Sequence, residues 1–108
     1  MSAITTHVLD CVSGKPASGI PVTLEYQSPE GNWEVIAQKQ TGANGRVRDF
    51  LPDGQSLRPG LYSLRFDTSG LSAFFPEVVL RFRVDDPAQR FHVPLLLSAF
   101  GFTAYRGS

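Results

Sequence analysis

The sequence predicts an all-β sandwich, and three observations carry that prediction. Turn-forming clusters recur at short intervals, the segments between them alternate apolar with polar residues, and no stretch sustains the helical apolar period over three turns. The turns fall at Ser13-Gly14-Lys15-Pro16, Ser28-Pro29-Glu30-Gly31-Asn32, Gly42-Ala43-Asn44-Gly45, Pro52-Asp53-Gly54, Arg58-Pro59-Gly60, Ser69-Gly70 and Asp85-Asp86-Pro87.

Taken in order, Ile4–Cys11 is rich in β-branched residues and reads as the first strand. Val22–Tyr26, Leu61–Phe66 and Val79–Val84 each alternate apolar and polar residues, the period of a strand with one buried face. Trp33–Thr41, Phe91–Leu97 and a terminal segment, Phe100–Arg106, complete a set of seven or eight strands. They recur at roughly the 8–12-residue spacing of sandwiches and barrels. The one place for a helix is a single turn around Asp67–Ala73, ended by Pro76.

A chain of 108 residues fits one domain, residues 1–108, and buries a workable core without disulfides or metals. Its ten acidic and ten basic residues cancel, and no basic run exists to track a phosphate backbone, so nucleic acid is not an expected partner. Cys11 is the only cysteine, which excludes an intramolecular disulfide; a small thiol in a strand-like stretch reads as core packing in a reducing compartment. Residues 1–6 lack a basic region followed by an apolar run, so no leader is expected, and no window approaches the ~20 apolar residues that cross a bilayer. The expectation is a cytoplasmic protein without a membrane partner.

The two histidines, His7 and His92, both fall inside predicted strands. His7 shares a face with Thr5 and Leu9, opposite Thr6 and Val8; His92 shares a face with Pro94 and Leu96, opposite Phe91, Val93 and Leu95. A strand histidine by itself is most often a satisfied polar or surface residue, yet its pKa range suits proton transfer. Sequence separation keeps the two apart unless the fold or an oligomer joins them. Arg46 follows the Gly42–Gly45 corner; it is either a solvated hairpin arginine or a fixed guanidinium able to bind a planar anion or an oxyanion. Cys11 has no nearby base, no Gly-x-Ser-x-Gly elbow occurs, and two isolated histidines make a poor zinc site even with Asp10 or Asp67, so neither a metal nor another cofactor is expected.

Four ordered segments resemble the signatures of the 5-hydroxyisourate hydrolases of the transthyretin-like family. They are Thr6-His7-Val8-Leu9-Asp10, Thr41-Gly42-Ala43-Asn44-Gly45-Arg46, His92-Val93-Pro94-Leu95-Leu96-Leu97-Ser98 and Tyr105-Arg106-Gly107-Ser108. The chain departs from the family pattern at Ala99, Phe102 and Ala104, where Pro, Tyr and Thr are usual, and its Asp67–Pro76 segment is shorter. The resemblance implies a transthyretin-like Greek-key sandwich, with the short helix after Leu61–Phe66 reduced or absent. It also implies a homotetramer with clefts where two dimers meet, and cofactor-free hydrolysis of 5-hydroxyisourate to 2-oxo-4-hydroxy-4-carboxy-5-ureidoimidazoline in urate degradation. By the same resemblance His7, Arg46, His92 and Ser108 are the catalytic candidates, and His7, Arg46, Tyr105, Arg106 and Gly107 the substrate-binding ones. The alternative is a transthyretin-like carrier of a small hydrophobic ligand.

The tail is expected to form one strand, with Tyr105 on the face of Gly101 and Thr103, and Gly107 turning sharply so that Ser108 reaches His7 or Arg46.

Overall fold

The computed structural model describes residues 2–108; Met1, the first residue of the expected domain, lies outside them. Among the described residues the chain forms β1 (Ile4–Asp10), β2 (Lys15–Pro16), β3 (Pro21–Gln27), β4 (Trp33–Gln40), β5 (Arg46–Val47), β6 (Gly60–Asp67), β7 (Glu77–Val84), β8 (Phe91–Leu97) and β9 (Phe102–Ala104). The seven expected strands are all present, joined by two-residue strands at β2 and β5. One sheet runs β2-β1-β8-β9 with β5 also on β1, and the other runs β4-β3-β6-β7.

Alternation decides what faces what. Ile4, Thr6 and Val8 of β1 and Phe91, Val93, Leu95 and Leu97 of β8 meet Val22, Leu24, Tyr26, Tyr62, Leu64, Phe66 and Val84 of the second sheet, and all are buried. Burying each large apolar side chain contributes ~1.5–3 kcal/mol, and a one-residue slip would turn all of a strand's side chains to the wrong face. The core therefore fixes register. Thr6 joins it because its hydroxyl donates to the Val93 carbonyl at 2.5 Å.

That register has a functional consequence, because β1 and β8 pair in parallel, with Thr5 opposite His92 and His7 opposite Pro94. A parallel pair needs a long crossover, and here nearly the whole chain supplies it.

Two readings of the sequence, those of Cys11 and of the final strand, are corrected, and a third, the single turn after β6, holds. Cys11 is exposed and not in the core: β1 ends at Asp10, whose carboxylate accepts from the Val12 amide and the Ser13 hydroxyl at 2.9 Å, so Cys11 sits on a turn outside the sandwich. The segment after β6 keeps one α-turn, Ser72 N donating to Thr68 O at 2.9 Å, and no helix. The final strand contracts from Phe100–Arg106 to Phe102–Ala104, because Ser98 and Gly101 close a turn ahead of it and leave Phe100 79% exposed.

Candidate active site

The polar face of the first sheet carries a cavity of about 380 Å³ lined by Ser2, Thr5, Thr6, Arg46, Arg48, Arg90, His92, Gly107 and Ser108. His92 projects here because Phe91 and Val93 on either side of it are core residues. Its Nδ1 lies 2.8 Å from the Thr5 hydroxyl, on the residue directly across the parallel pair. His7 is two residues further along β1, on the same outer face, and half-buried. The two histidines are thus diagonal neighbours on adjoining strands of one chain.

Arg46 arrives by the same logic. The corner Gly42–Gly45 closes with Gly45 N donating to Gly42 O at 2.9 Å, and Asn44 Oδ1 accepts from the Arg46 amide at 3.0 Å. β5 then pairs with β1, Thr6 opposite Val47 and His7 opposite Arg46. Val47 is buried, so Arg46 and Arg48 on either side of it turn outward to the cavity. Gly45 is held at φ 77°, and a Cβ there would sit 2.6 Å from the Val8 carbonyl, so the corner demands glycine twice over.

The tail reaches the same cavity by a different route from the expected sharp turn. Gly107 is not among the glycines with positive φ; it forms an antiparallel bridge with His92, its amide donating to the His92 carbonyl at 2.7 Å. What requires glycine is proximity, since a Cβ would lie 2.6 Å from His92 Cδ2. Ser108 follows into the lining beside Arg46 and His92.

Both imidazoles are held below the ordinary histidine range. For His7 the causes are burial first, then the positive charge of Arg46, with hydrogen bonding to the Asn44 main chain acting the other way and Arg48 adding a smaller lowering. For His92 they are burial, then Arg46, then His7, partly offset by hydrogen bonding to the Thr5 main chain. Each cation disfavours the imidazolium, so both rings are neutral at pH 7 and able to accept a proton. His7 Nε2 is buried without a hydrogen-bond partner. An unsatisfied buried nitrogen costs about 1–3 kcal/mol, which a water or ligand at that atom would recover.

Arg46, His92, Gly107 and Ser108 therefore line one cavity, and His7, which is not in that lining, lies beside it on β1, opposite Arg46. Tyr105 and Arg106 stand elsewhere: both line a separate groove with Val79–Arg83 of β7. Arg106 donates to Gln89 Oε1 at 2.9 Å and lies 4.5 Å above the Phe91 ring, fastening the tail to the turn before β8. Thr5, Arg48 and Arg90 escaped attention in the sequence. The signal for Thr5 was its shared face with His7; for the two arginines it was their parity with Arg46 and with His92. Among the described residues no group of three or more His, Cys, Asp or Glu side chains gathers where it could hold a metal ion. Asp10 and Asp67 are engaged in their own turns.

Two antiparallel-rich sheets carrying a polar cleft on one outer face define a transthyretin-type β-sandwich. Transthyretin from Sparus aurata overlays it with a TM-score of 0.89 at 24% identity, covering 99% of this chain and 97% of that one, which speaks to the fold alone. The chain belongs to the HIUase/Transthyretin family, whose model matches residues 4–107. It is 40% identical to the 5-hydroxyisourate hydrolase of Mus musculus over 99% of its own length and 96% of the relative's. The 5-hydroxyisourate hydrolase of Klebsiella pneumoniae overlays it with a TM-score of 0.81 at 31% identity, covering 97% and 98% of the two chains.

Proposed function

We infer that this chain is a hydrolase that opens the six-membered ring of 5-hydroxyisourate, giving 2-oxo-4-hydroxy-4-carboxy-5-ureidoimidazoline in urate degradation. The observation that carries this reading is a cleft lined by His92, Arg46 and Ser108, with a second neutral histidine, His7, beside it opposite Arg46, in a chain whose full-length relatives bear that enzyme's name. Water adds to a ring carbonyl, the adjacent carbon–nitrogen bond breaks, and the nitrogen leaves with a proton. One histidine takes the proton of the attacking water and the other positions water or protonates the leaving nitrogen, a contribution of ~10²–10⁴-fold. Arg46 holds the carbonyl edge and steadies the oxyanion, with the Ser108 hydroxyl completing the ring's hydrogen bonds.

The finer assembly is part of the same proposal: a homotetramer whose clefts form where dimers meet. The cavity opens on an outer sheet face, and Tyr105, 55% exposed, stands apart from it, which fits a role supplied to a neighbouring subunit's cleft. The exposed thiol of Cys11 fits a reducing, cytoplasmic setting. The carrier alternative is disfavoured by three arginines and a histidine in the lining, a costly surface for an apolar ligand. The test is absorbance decay of freshly generated 5-hydroxyisourate. Protein-dependent acceleration supports the reading, and decay at the spontaneous rate would defeat it.

A further inference from the structure

Arg46 is not alone in the cleft. Arg48 and Arg90 share its lining, and both are exposed whereas Arg46 is half-buried, so they stand at the rim. Their placement follows from the core: Arg48 alternates with Val47, and Arg90 with Phe91, both buried. No Asp or Glu is among the described lining residues. None of these three arginines joins the ion pairs recorded among the described residues, which use Lys39, Arg58 and Arg65. Asp53, whose carboxyl feels the positive charge of Arg90 as a minor influence, lies outside the lining. Three guanidinium groups thus surround about 380 Å³ in a chain with zero formal net charge. Their field is local.

We propose that Arg48 and Arg90 form an electrostatic gate at the cleft rim, drawing in an anionic oxopurine and retaining the carboxylate that ring opening creates. The proposal rests on the hydrolase reading for the identity of the ligand. Hydrolysis puts the water oxygen on the carbonyl carbon, breaks the carbon–nitrogen bond, leaves a proton on the nitrogen and releases a second proton as the new acid ionises. The product is therefore more negative than the substrate at the ring's opened edge. Rim charges act mainly on capture and salt dependence, whereas the reacting groups act on turnover. Arg48 and Arg90 are positioning residues in this scheme and touch neither the attacking water nor the leaving nitrogen.

The probe is urate, an uncleaved oxopurine that is a monoanion at neutral pH, titrated calorimetrically into wild type, Arg48→Gln, Arg90→Gln, the double variant and Lys15→Gln. Lys15→Gln removes the same charge from β2, away from the cleft. Each gate variant should weaken urate binding roughly threefold at low salt and the double variant roughly tenfold, as exposed charge pairs allow. Arg48→Lys and Arg90→Lys should restore most of the loss, and added salt should erase most of the difference between wild type and double variant. In 5-hydroxyisourate kinetics the double variant should raise KM with kcat within about twofold. The gate is overturned if wild type does not bind urate, if the double variant binds it like Lys15→Gln, or if the lysine variants behave like the glutamine ones. If wild type fails to hasten 5-hydroxyisourate decay while the urate losses follow this pattern, the gate stands and the hydrolase reading falls.

Discussion

Replacing Gly107 by alanine tests the site through a single methyl group. An added Cβ would lie 2.6 Å from His92 Cδ2, 3.4 Å from Cγ and 3.6 Å from Cβ, so the collision is confined to the ring's edge. Bringing 2.6 Å to an ordinary contact of 3.4 Å requires about 0.8 Å of movement. The backbone resists it, because Gly107 N is bonded to His92 O at 2.7 Å; the imidazole must rotate instead. Rotation forfeits the 2.8 Å contact with Thr5 and forces an off-rotamer side chain, together ~1–2 kcal/mol. A stability loss of that size lowers the melting temperature by roughly 4–16 °C, leaving a folded protein at 25 °C. Catalysis suffers more, since misplacing a reacting group by about 1 Å costs ~10²-fold. We expect kcat/KM for 5-hydroxyisourate to fall about 100-fold in Gly107→Ala. Gly101→Ala, whose Cβ would meet nothing within 4 Å, should keep wild-type activity. A Gly107→Ala enzyme within threefold of wild type would refute the claim that His92 must hold its present position.

Five further outcomes are expected. His7→Asn and His92→Asn should each lower ring opening at least ~10²-fold while the protein still melts cooperatively; unchanged turnover in either would return that residue to a structural role. Because burial and Arg46 lower both histidines, the acid limb of the kcat/KM profile should lie below the ordinary value of 6.5, and an acid limb above 6.5 would contradict the neutral-imidazole mechanism. The same depression means the unfolded chain binds protons first, so stability is undiminished above 6.5 and declines as pH falls toward the folded values, a sign that urea titrations can check. Exhaustive chelation should leave activity intact, and zinc-dependent recovery would overturn the mechanism. If clefts form between dimers, activity and tetramer should vanish together on dilution; an active monomer would remove the subunit-shared cleft.

The sandwich was legible because its information is local: alternating residues bounded by turns need no partner to be read. The faces of His7 and His92 were legible for the same reason, and the structure keeps Thr6, Val8, Phe91 and Val93 inside with both histidines outside. Their meeting was not, because it depends on the parallel pairing of β1 with β8, a contact between the two ends of the chain. The resemblance supplied the grouping without the reason for it. Cys11 was misread because strand propensity does not see where a strand ends; Asp10 capping its own turn ends β1 one residue early. Gly107 was singled out for the wrong property, freedom of φ, when its role is the absence of a side chain against an imidazole ring.

That no Asp or Glu side chain is among the described lining residues bears on how much the two histidines can do. A carboxylate behind an imidazole orients it, stabilises the imidazolium and raises its pKa, which strengthens the base. Here orientation comes from neutral groups instead: the Thr5 hydroxyl on His92 and the Asn44 main chain on His7. Burial first and then Arg46 push both pKa values down, so each ring is a weaker base that stays neutral and available at pH 7. Such a pair suits a substrate that already decays unaided, for which the barrier left to the protein is modest. It also suits a site where negative charge develops on a carbonyl, because the arginine that weakens the base stabilises the oxyanion the base helps to create. Replacing Arg46 would therefore strengthen the histidines as bases and still slow the reaction, provided oxyanion stabilisation outweighs basicity. The magnitudes favour that ordering: losing one oxyanion contact costs ~2.7–4 kcal/mol, whereas one pKa unit on a general base is worth at most ~1.4 kcal/mol.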